Sequence, residues 1–374
     1  MKSIQMVDLA AQYDRLKTDI DAAMNEVIVR SQFIQGEAVR QFEHHLSEKL
    51  DVPFVWGCGN GTDALQMAFM ALELKPGDEV IVPSFNYIAA AEAAALMGLT
   101  PVFVDVDEHT FCIDPLSAKN AITPKTKAII AVHLFGQCAP MEALLDLANA
   151  HQLLVIEDTA QAIGAAYTFS DGRSSFAGTM GDIGTLSFFP SKNLGCYGDG
   201  GAVLTRSETL AERLKMIRNH GQKVKYTHEI IGINSRLDTL QAAILDVKLK
   251  HLDSFTAARQ ALAKSYSEAF ANIPGIIPPS ISAQSTHVFH QYTLRCTHGN
   301  RQALADFLKS KGIPTMIYYP IALHLQPVFK AEHGGLNLPI SLRLCDEVIS
   351  LPMHTEMTNE QRAYIIGAVC EFFS

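Results

Sequence analysis

The chain is poor in charged residues, and basic residues are the scarcer kind. Charged residues make up 18% of its 374 positions, with 30 lysines and arginines against 39 aspartates and glutamates, for a formal net charge of −9. A protein that binds nucleic acid usually presents a basic face, so this balance argues against a nucleic-acid partner. An anionic ligand must be met by local groups, because the overall field would repel it.

The sequence also lacks the patterns of a disulfide framework, a metal site and a membrane protein. Its seven cysteines are scattered without a Cys-x-x-Cys pair, and its 14 histidines show no metal-ligand spacing, so we expect free thiols and no metal. The first residues contain no apolar signal segment, and the most apolar helical stretch, 89–99, is short and carries Glu92. We therefore expect a cytoplasmic protein without a membrane partner.

What the sequence does contain is a regular alternation of apolar runs and helical patterns. The apolar runs are 53–58, 79–83, 101–104, 127–134, 153–157, 183–189 and 201–205, and helical patterns separate them, most clearly at 62–74, 86–97 and 141–150. This order predicts an α/β fold with a mainly parallel seven-stranded sheet covered by helices on both faces.

The pattern changes after this alternation. A long amphipathic helix is predicted from Leu237 towards Phe270, followed by the Pro/Gly/Ser-rich stretch 273–280, a strand at 290–296 and two further helices. These elements indicate a smaller C-terminal α+β domain. We place the large domain at residues 1–250 and the small domain at residues 251–374.

Lys192 is the residue that most restricts the function. It follows an apolar run and opens a glycine-rich loop that ends at Gly201. A lysine near apolar neighbours loses ammonium solvation, so its pKa falls and its free amine can act as nucleophile and base, as pyridoxal phosphate (PLP) chemistry requires. A surface lysine that closes a loop is the commoner outcome, so other segments must supply the rest of a cofactor site.

Two segments could do so. The buried-strand pattern at 153–157 ends in a carboxylate, Asp158, which could hold the proton of the PLP pyridine nitrogen or merely cap the next helix. The strand, glycine-rich turn and helix at 55–72 would present free N–H groups to a phosphate. That turn matches neither a dinucleotide loop nor a Walker loop, and helix capping by Thr62 or Asp63 is the alternative.

Four motifs in one order carry a family resemblance: Asn60-Gly-Thr-Asp-Ala-Leu65, Glu157-Asp-Thr-Ala-Gln161, Ser187-Phe-Phe-Pro-Ser-Lys192 and Asn234-Ser-Arg-Leu-Asp238. The chain resembles the DegT/DnrJ/StrS-type nucleotide-sugar aminotransferases over nearly its whole length. The resemblance implies a PLP-dependent aminotransferase of fold type I. It also implies a homodimer whose active sites are shared between the subunits.

The resemblance assigns a role to each matching residue. Lys192 corresponds to the lysine that forms a Schiff base with PLP, and Asp158 to the partner of the pyridine nitrogen. The other cofactor contacts that it implies are Gly61, Thr62 and Ser187 at the phosphate, Tyr87 and Gln161 at the ring, and Asn234 at the phosphate of the partner subunit. Ordinary packing of Tyr87, and a helix-opening role for Asn234, are the alternatives.

Four residues are candidates for contact with the substrate: Arg236, Tyr226, His228 and His324. Arg236 could instead open the following helix, Tyr226 and His228 belong to a charge-dense stretch that could be a solvated face, and His324 could be a core histidine.

The resemblance implies transamination of a keto nucleotide sugar with L-glutamate as donor. Local similarity favours C3 amination of a UDP-2-acetamido-3-keto-hexuronic acid for lipopolysaccharide, O-antigen or another surface glycan. C3 or C4 amination of a dTDP-, UDP- or GDP-linked keto-deoxy sugar is the alternative. Relatives that deoxygenate sugars replace the lysine with histidine, which argues against that reaction, while a sensor that binds PLP without transferring nitrogen stays open.

Overall fold

The computed structural model describes residues 3–374, which contain fourteen strands. The strands are β1 (Phe54–Cys58), β2 (Glu79–Pro83), β3 (Thr100–Val104), β4 (Thr126–Val132), β5 (Leu154–Asp158), β6 (Ala166–Thr168), β7 (Ser174–Phe176), β8 (Ile183–Ser187), β9 (Gly201–Thr205), β10 (Gln222–Val224), β11 (Thr227–His228), β12 (Ile276–Ile277), β13 (Tyr292–Cys296) and β14 (Val348–Leu351).

The same residues contain thirteen α-helices. They are α1 (Leu9–Arg30), α2 (Glu37–Lys49), α3 (Gly61–Ala71), α4 (Ala89–Leu96), α5 (Pro115–Asn120), α6 (Met141–His151), α7 (Glu208–Ile217), α8 (Thr239–Leu249), α9 (Leu252–Phe270), α10 (Arg301–Ser310), α11 (Pro327–His333), α12 (Pro339–Glu347) and α13 (Asn359–Phe373). In this described part of the chain, no helix combines the length and the apolar character needed to cross a bilayer.

Seven strands form one large sheet in the order β1-β9-β8-β5-β4-β2-β3. Strand β9 runs antiparallel to both of its neighbours, and the remaining pairs are parallel. Each predicted apolar run forms one of these strands, so the predicted α/β class with a mainly parallel sheet is confirmed. Because every strand except β9 points the same way, the loops after β1, β2, β4, β5 and β8 meet at one edge.

The C-terminal part of the chain builds a second apolar core. Strands β12, β13 and β14 pair in an antiparallel sheet, and helices α9, α10 and α13 contribute to the core beneath it. The N-terminal segment joins this core, since Ile4 is buried in it and the Met6 carbonyl accepts from Met353 N–H at 3.2 Å. The predicted domain division at residue 250 stays a prediction.

The predicted continuous helix between Leu237 and Phe270 is two helices, separated at 250–251. Leu249 and Leu252 lie on either side of the break, and both are buried in an apolar cluster beside the large sheet. Phe270, at the far end of α9, is buried in the C-terminal core. Helix α9 thus begins beside the large sheet and ends in the C-terminal core, so this one helix buries residues in both cores.

Candidate active site

A cavity of about 630 Å³ opens at the edge of the large sheet where the carboxyl ends of its strands meet. Cavities of roughly this size accommodate cofactors and small substrates. All predicted cofactor contacts except Asn234 line it, namely Gly61, Thr62, Tyr87, Asp158, Gln161, Ser187 and Lys192. The fold therefore brings together residues as far apart in the sequence as Gly61 and Lys192, which are separated by 131 positions.

Lys192 lies in the turn that follows β8. Its backbone N–H donates to the Phe189 carbonyl at 2.8 Å, and its half-buried side chain lines the cavity. Burial lowers the pKa of Lys192 to about 8, an effect that the carboxylate of Asp158 opposes. Near pH 8, Lys192 is therefore an uncharged amine in a large fraction of the molecules, as a nucleophile requires.

The last two residues of β5 are adjacent carboxylates with different surroundings. Glu157 is fully buried and accepts hydrogen bonds from the backbone N–H groups of Gly178, Met180 and Gly181 at 2.6–2.8 Å. Its fourth partner is His133 Nε2 at 2.8 Å. Because these donors replace the water lost on burial, Glu157 stabilises the turn before β8 and belongs to the protein interior.

Asp158 faces the cavity instead. Its Oδ1 accepts from Ala160 N–H at 3.1 Å, and no donor within residues 3–374 reaches its Oδ2. Burial raises the pKa of Asp158, whereas the Ala160 N–H and the charge of Lys192 lower it. The carboxylate thus keeps one oxygen for a ligand, while residues 160–164 form turns rather than the helix that a capping role would need.

The N-terminus of α3 faces the cavity beside the end of β8. Asn60 caps this helix, because its Oδ1 accepts from Asp63 N–H at 2.8 Å, so the alternative of capping by Thr62 or Asp63 does not describe this turn. The N–H groups of Gly61 and Thr62 have no acceptor inside the helix and can bind an anion. A Cβ atom at Gly61 would lie 2.7 Å from Ser187 Cβ, so only glycine allows this close approach.

Two hydrogen bonds fix the orientation of Gln161. Its Oε1 accepts from Phe135 N–H at 2.8 Å, and its Nε2 donates to Tyr319 Oη at 3.0 Å. Tyr319 Oη therefore accepts from Gln161 and keeps its own proton for an acceptor in the cavity. Tyr87 lies next to Tyr319, with ring centroids 6.1 Å apart, and is 57% exposed. An aromatic ring this exposed is available to a ligand rather than packed in the core.

A second wall of the cavity was not predicted from the sequence. This C-terminal wall consists of His290, Gln291, Tyr318 and Tyr319, which lie before β13 and before α11. Gln291 Oε1, and Nδ2 of the neighbouring lining residue Asn86, are buried without a hydrogen-bond partner in the described structure. Along the chain, only the two tyrosines lie close to a predicted contact, His324.

None of the four predicted substrate contacts lines the cavity of its own chain. Arg236 donates to Asn219 Oδ1 at 3.3 Å, and Asn234 is exposed nearby. Tyr226 and His228 belong to the β10–β11 hairpin, where Tyr226 is 81% exposed and His228 Nδ1 lies 2.8 Å from the His220 carbonyl. Within one chain these four residues, Asn234, Arg236, Tyr226 and His228, are therefore separate from Lys192.

The structure does not bring His324 to the cavity. Its side chain is fully buried, its Nδ1 lies 2.7 Å from Ser84 Oγ, and it is absent from the residues that line the cavity. The adjacent Leu323 is part of the apolar core, which holds this turn inside the protein. The alternative of a buried core histidine describes this position, so a direct contact between His324 and the sugar is not carried further.

The residues around the cavity fit PLP. The close approach of Gly61 to Ser187 leaves a narrow cradle of N–H groups that matches a phosphate. Asp158 offers a free oxygen at the end of β5, and the amides of Asn86 and Gln291 have polar atoms that still need partners. Asp158, Lys192, Gly61 and Thr62 together provide an acid partner, an amine and an anion site in one cavity.

Comparisons with known proteins agree with this geometry. The model of the DegT/DnrJ/EryC1/StrS aminotransferase family matches residues 14–370. A "Pleiotropic regulatory protein" of Geobacillus stearothermophilus is 45% identical over 374 residues, covering 99% of both chains. The UDP-2-acetamido-2-deoxy-3-oxo-D-glucuronate aminotransferase of Pseudomonas aeruginosa is 44% identical over 366 residues, covering 98% of this chain and 99% of the relative.

Solved structures give the same result. The crystal structure of S. venezuelae DesV in complex with a ketimine intermediate superposes with a TM-score of 0.96 at 40% identity, covering 100% of this chain and 99% of that one. The comparisons confirm the predicted fold type, the predicted family resemblance and the predicted cofactor.

Proposed function

The chain belongs to the DegT/DnrJ/EryC1/StrS aminotransferase family, and we propose that it transfers the amino group of L-glutamate to C3 of a UDP-2-acetamido-3-keto-hexuronic acid. That it is a PLP-dependent aminotransferase of nucleotide-linked keto sugars follows from the family and its relatives. The observation that carries the reaction type is the single cavity shared by Lys192, Asp158 and the N-terminus of α3. The similarity to the P. aeruginosa enzyme supports the choice of sugar.

Each residue of the cavity has a distinct task in this reaction. Bound PLP supplies a carbonyl that takes up the amino group and a ring that withdraws electrons from the carbon being deprotonated. Asp158 Oδ2 would accept the N–H of the pyridine ring. The N–H groups of Gly61 and Thr62, with the Ser187 hydroxyl, would hold the phosphate.

Lys192 moves the proton. Its Nζ would hold the cofactor before the substrate arrives, and its lowered pKa would let the released amine take a proton from the Cα atom of L-glutamate and pass it to the cofactor. In the second half-reaction, Lys192 Nζ would take this proton back and deliver it to C3 of the sugar. Since one lysine serves both halves, we expect ping-pong kinetics with parallel initial-rate plots, and intersecting plots would contradict this scheme.

The first test follows the amino group in two stages. PLP-loaded protein mixed with L-glutamate should lose the visible band of lysine-bound PLP and gain the band of pyridoxamine phosphate. The reacted enzyme should then recover the first band with UDP-2-acetamido-3-keto-glucuronic acid. Recovery only with a 4-keto-6-deoxy sugar linked to dTDP, UDP or GDP would exclude the uronate and leave the reaction type intact.

We also propose that the active enzyme is a homodimer. The end of α1, the β10–β11 hairpin and the loop after it expose apolar side chains, with Val29 at 74%, Val224 at 64% and Ile231 at 86% exposure, respectively. Unpaired apolar surface of this kind favours association. The hairpin contains Tyr226 and His228, and Asn234 and Arg236 follow it along the chain. In the proposal, all four residues reach the cavity of the partner subunit.

Mixed dimers test this sharing. Lys192→Ala subunits combined with Asn234→Ala subunits should form dimers in which one site has both native residues. Random mixing makes about half of all dimers mixed, so the mixture should regain about a quarter of wild-type activity, because each site needs Lys192 from one chain and Asn234 from the other. No activity above that of the parent variants, despite dimers in light scattering, would place Asn234 in a structural role.

We also propose that the protein works in the cytoplasm and that its product is used in the synthesis of a surface glycan. All seven cysteines are unpaired thiols, as is usual in a reducing compartment. A fractionation experiment that finds the protein outside the cytoplasm, or a deletion strain with unchanged surface glycans, would contradict these assignments.

A PLP-binding sensor is the second candidate, and the G. stearothermophilus relative, which is named a pleiotropic regulatory protein, favours it. Such a protein would keep the band of lysine-bound PLP when L-glutamate is added. The absorbance measurement therefore separates the two functions directly.

A further inference from the structure

His290 is a cavity residue to which no role has been given. It lies on the C-terminal wall together with Tyr318, and it lines the cavity that contains Lys192. Its side chain is only 7% exposed. A buried histidine needs partners for both ring nitrogens, so the available bonds decide which nitrogen faces the cavity.

The neighbour of Lys192 fixes the tautomer of His290. Asn193 Nδ2 donates to the Val288 carbonyl at 3.0 Å, which leaves Asn193 Oδ1 as the acceptor that faces His290 Nδ1 at 3.3 Å. His290 Nδ1 must therefore carry the hydrogen. Its Nε2 is left with a lone pair and is the ring nitrogen available to the cavity.

The backbone that carries His290 is held in place from α9. Arg259 Nη1 donates to the carbonyls of Phe289, His290 and Met353 at 3.1–3.2 Å. Phe289 has a φ of 47°, a left-handed conformation that is unfavourable for this residue type. Surrounding contacts are needed to hold such a conformation, and it orients the following imidazole.

The surroundings also keep the ring uncharged. Burial and the positive charges of Lys192 and Arg259 lower the pKa of His290 well below its usual value. At neutral pH, His290 therefore offers the cavity an acceptor without charge.

We propose that His290 is a specificity-determining residue whose Nε2 accepts a hydrogen bond from a hydroxyl group of the bound sugar. This inference rests on the proposed function, because it names the part of the substrate that meets the C-terminal wall. Sugar hydroxyls can donate to a bare nitrogen. The carboxylates of L-glutamate are acceptors only and would be repelled by the same lone pair, and its amino group is the group that reacts, so His290 should serve the sugar and not the amino donor.

His290→Phe removes the acceptor at nearly constant volume. Measuring the two half-reactions of this variant separately distinguishes a contact with the sugar from a contact with L-glutamate. We expect kcat/KM for the keto sugar to fall about tenfold to a hundredfold, while the L-glutamate half-reaction stays within about twofold of the wild type. His290→Gln, which can place an oxygen near the position of Nε2, should restore most of the sugar reaction.

His287→Phe is the matched control. His287 is also buried, its Nδ1 accepts from Phe289 N–H at 3.0 Å, and it does not line the cavity. Its replacement should lower the melting temperature without changing the ratio between the two half-reactions. Equal loss of both half-reactions in His290→Phe would overturn the proposal, as would an unchanged sugar reaction.

Calorimetry adds a test without turnover. Binding of UDP-N-acetylglucosamine is compared with binding of UDP, and binding of dTDP-glucose with binding of dTDP. His290→Phe should weaken only the increment due to the sugar. No sugar-dependent increment in the wild type would refute the contact, whereas failure of the L-glutamate reaction alone would refute the proposed function and leave the contact standing.

Discussion

The cavity has two different sides. Its sheet side is lined by residues at the ends of β1, β5 and β8 and in the turns after them, whereas its C-terminal wall is formed by loops before β13 and α11. On the sheet side, many contacts are backbone N–H groups or side chains fixed at strand ends, such as Gly61 and Asp158. On the wall, the contacts are side chains, including His290 and Tyr319. In the proposed reaction, the sheet side thus serves the cofactor, and the wall distinguishes one sugar from another.

Lys192→Ala should have the largest effect on the sheet side. Turnover should fall by about ten-thousandfold or more, because the variant loses both the covalent attachment of the cofactor and the proton carrier. Absorbance and steady-state kinetics measure the two losses. Lys250→Ala, at an exposed position of the chain, should leave both unchanged. Near-normal turnover of Lys192→Ala would contradict the assignment of the sheet side.

Asp158→Asn should retain PLP but slow the L-glutamate half-reaction by about a hundredfold to a thousandfold, because the pyridine nitrogen loses its anionic partner. Single-turnover absorbance reports this rate. The matched variant is Glu157→Gln, which disturbs the buried acceptor of His133 and three N–H groups and should chiefly lower the melting temperature. A similar pattern in both variants would remove the distinction between these neighbouring carboxylates.

Gly61→Ala should weaken PLP binding by about tenfold, since the new Cβ would meet Ser187 Cβ at 2.7 Å and push the helix end from the phosphate. Equilibrium dialysis measures the change. Gly335→Ala, where an added Cβ has no neighbour within 4 Å, is the control. PLP affinity equal to that of the wild type would mean that Ser187 can move aside.

Tyr319→Phe, on the C-terminal wall, should have the smallest of these effects. It should slow the reaction of the sugar more than it weakens PLP binding. It removes a hydroxyl that accepts from Gln161 at 3.0 Å and can donate to a ligand, so kcat/KM for the sugar should fall about threefold to tenfold. PLP affinity should change less than in Gly61→Ala. A greater loss of PLP than of sugar reactivity would show that Tyr319 serves the cofactor, and Tyr364→Phe at the surface controls for the loss of a tyrosine hydroxyl.

The difference between the two sides also explains what the sequence could predict. Lys192, Asp158 and Ser187 directly follow or end apolar runs, and the ends of parallel strands converge, so local patterns locate them. His290 reaches the cavity because Arg259 holds carbonyls 30 and 31 positions away, a contact between distant segments that no local pattern encodes.

The missed details have similar causes. The break at 250–251 lies between Leu249 and Leu252, which are buried in the same apolar cluster, so the amphipathic pattern runs on across it and does not show it. Asn60 rather than Thr62 caps α3, since the exact start of a helix depends on the turn geometry before it. The burial of His324 depends on Ser84, which is 240 positions away.

The use of backbone N–H groups at Gly61 and Thr62 has a practical consequence for protein engineering. Because these donors are part of the backbone, an exchange of side chains can neither easily remove them nor improve them. A combinatorial library restricted to Asn86, His290, Gln291 and Tyr318 would therefore search for new sugar acceptors while every member inherits the same cofactor anchor.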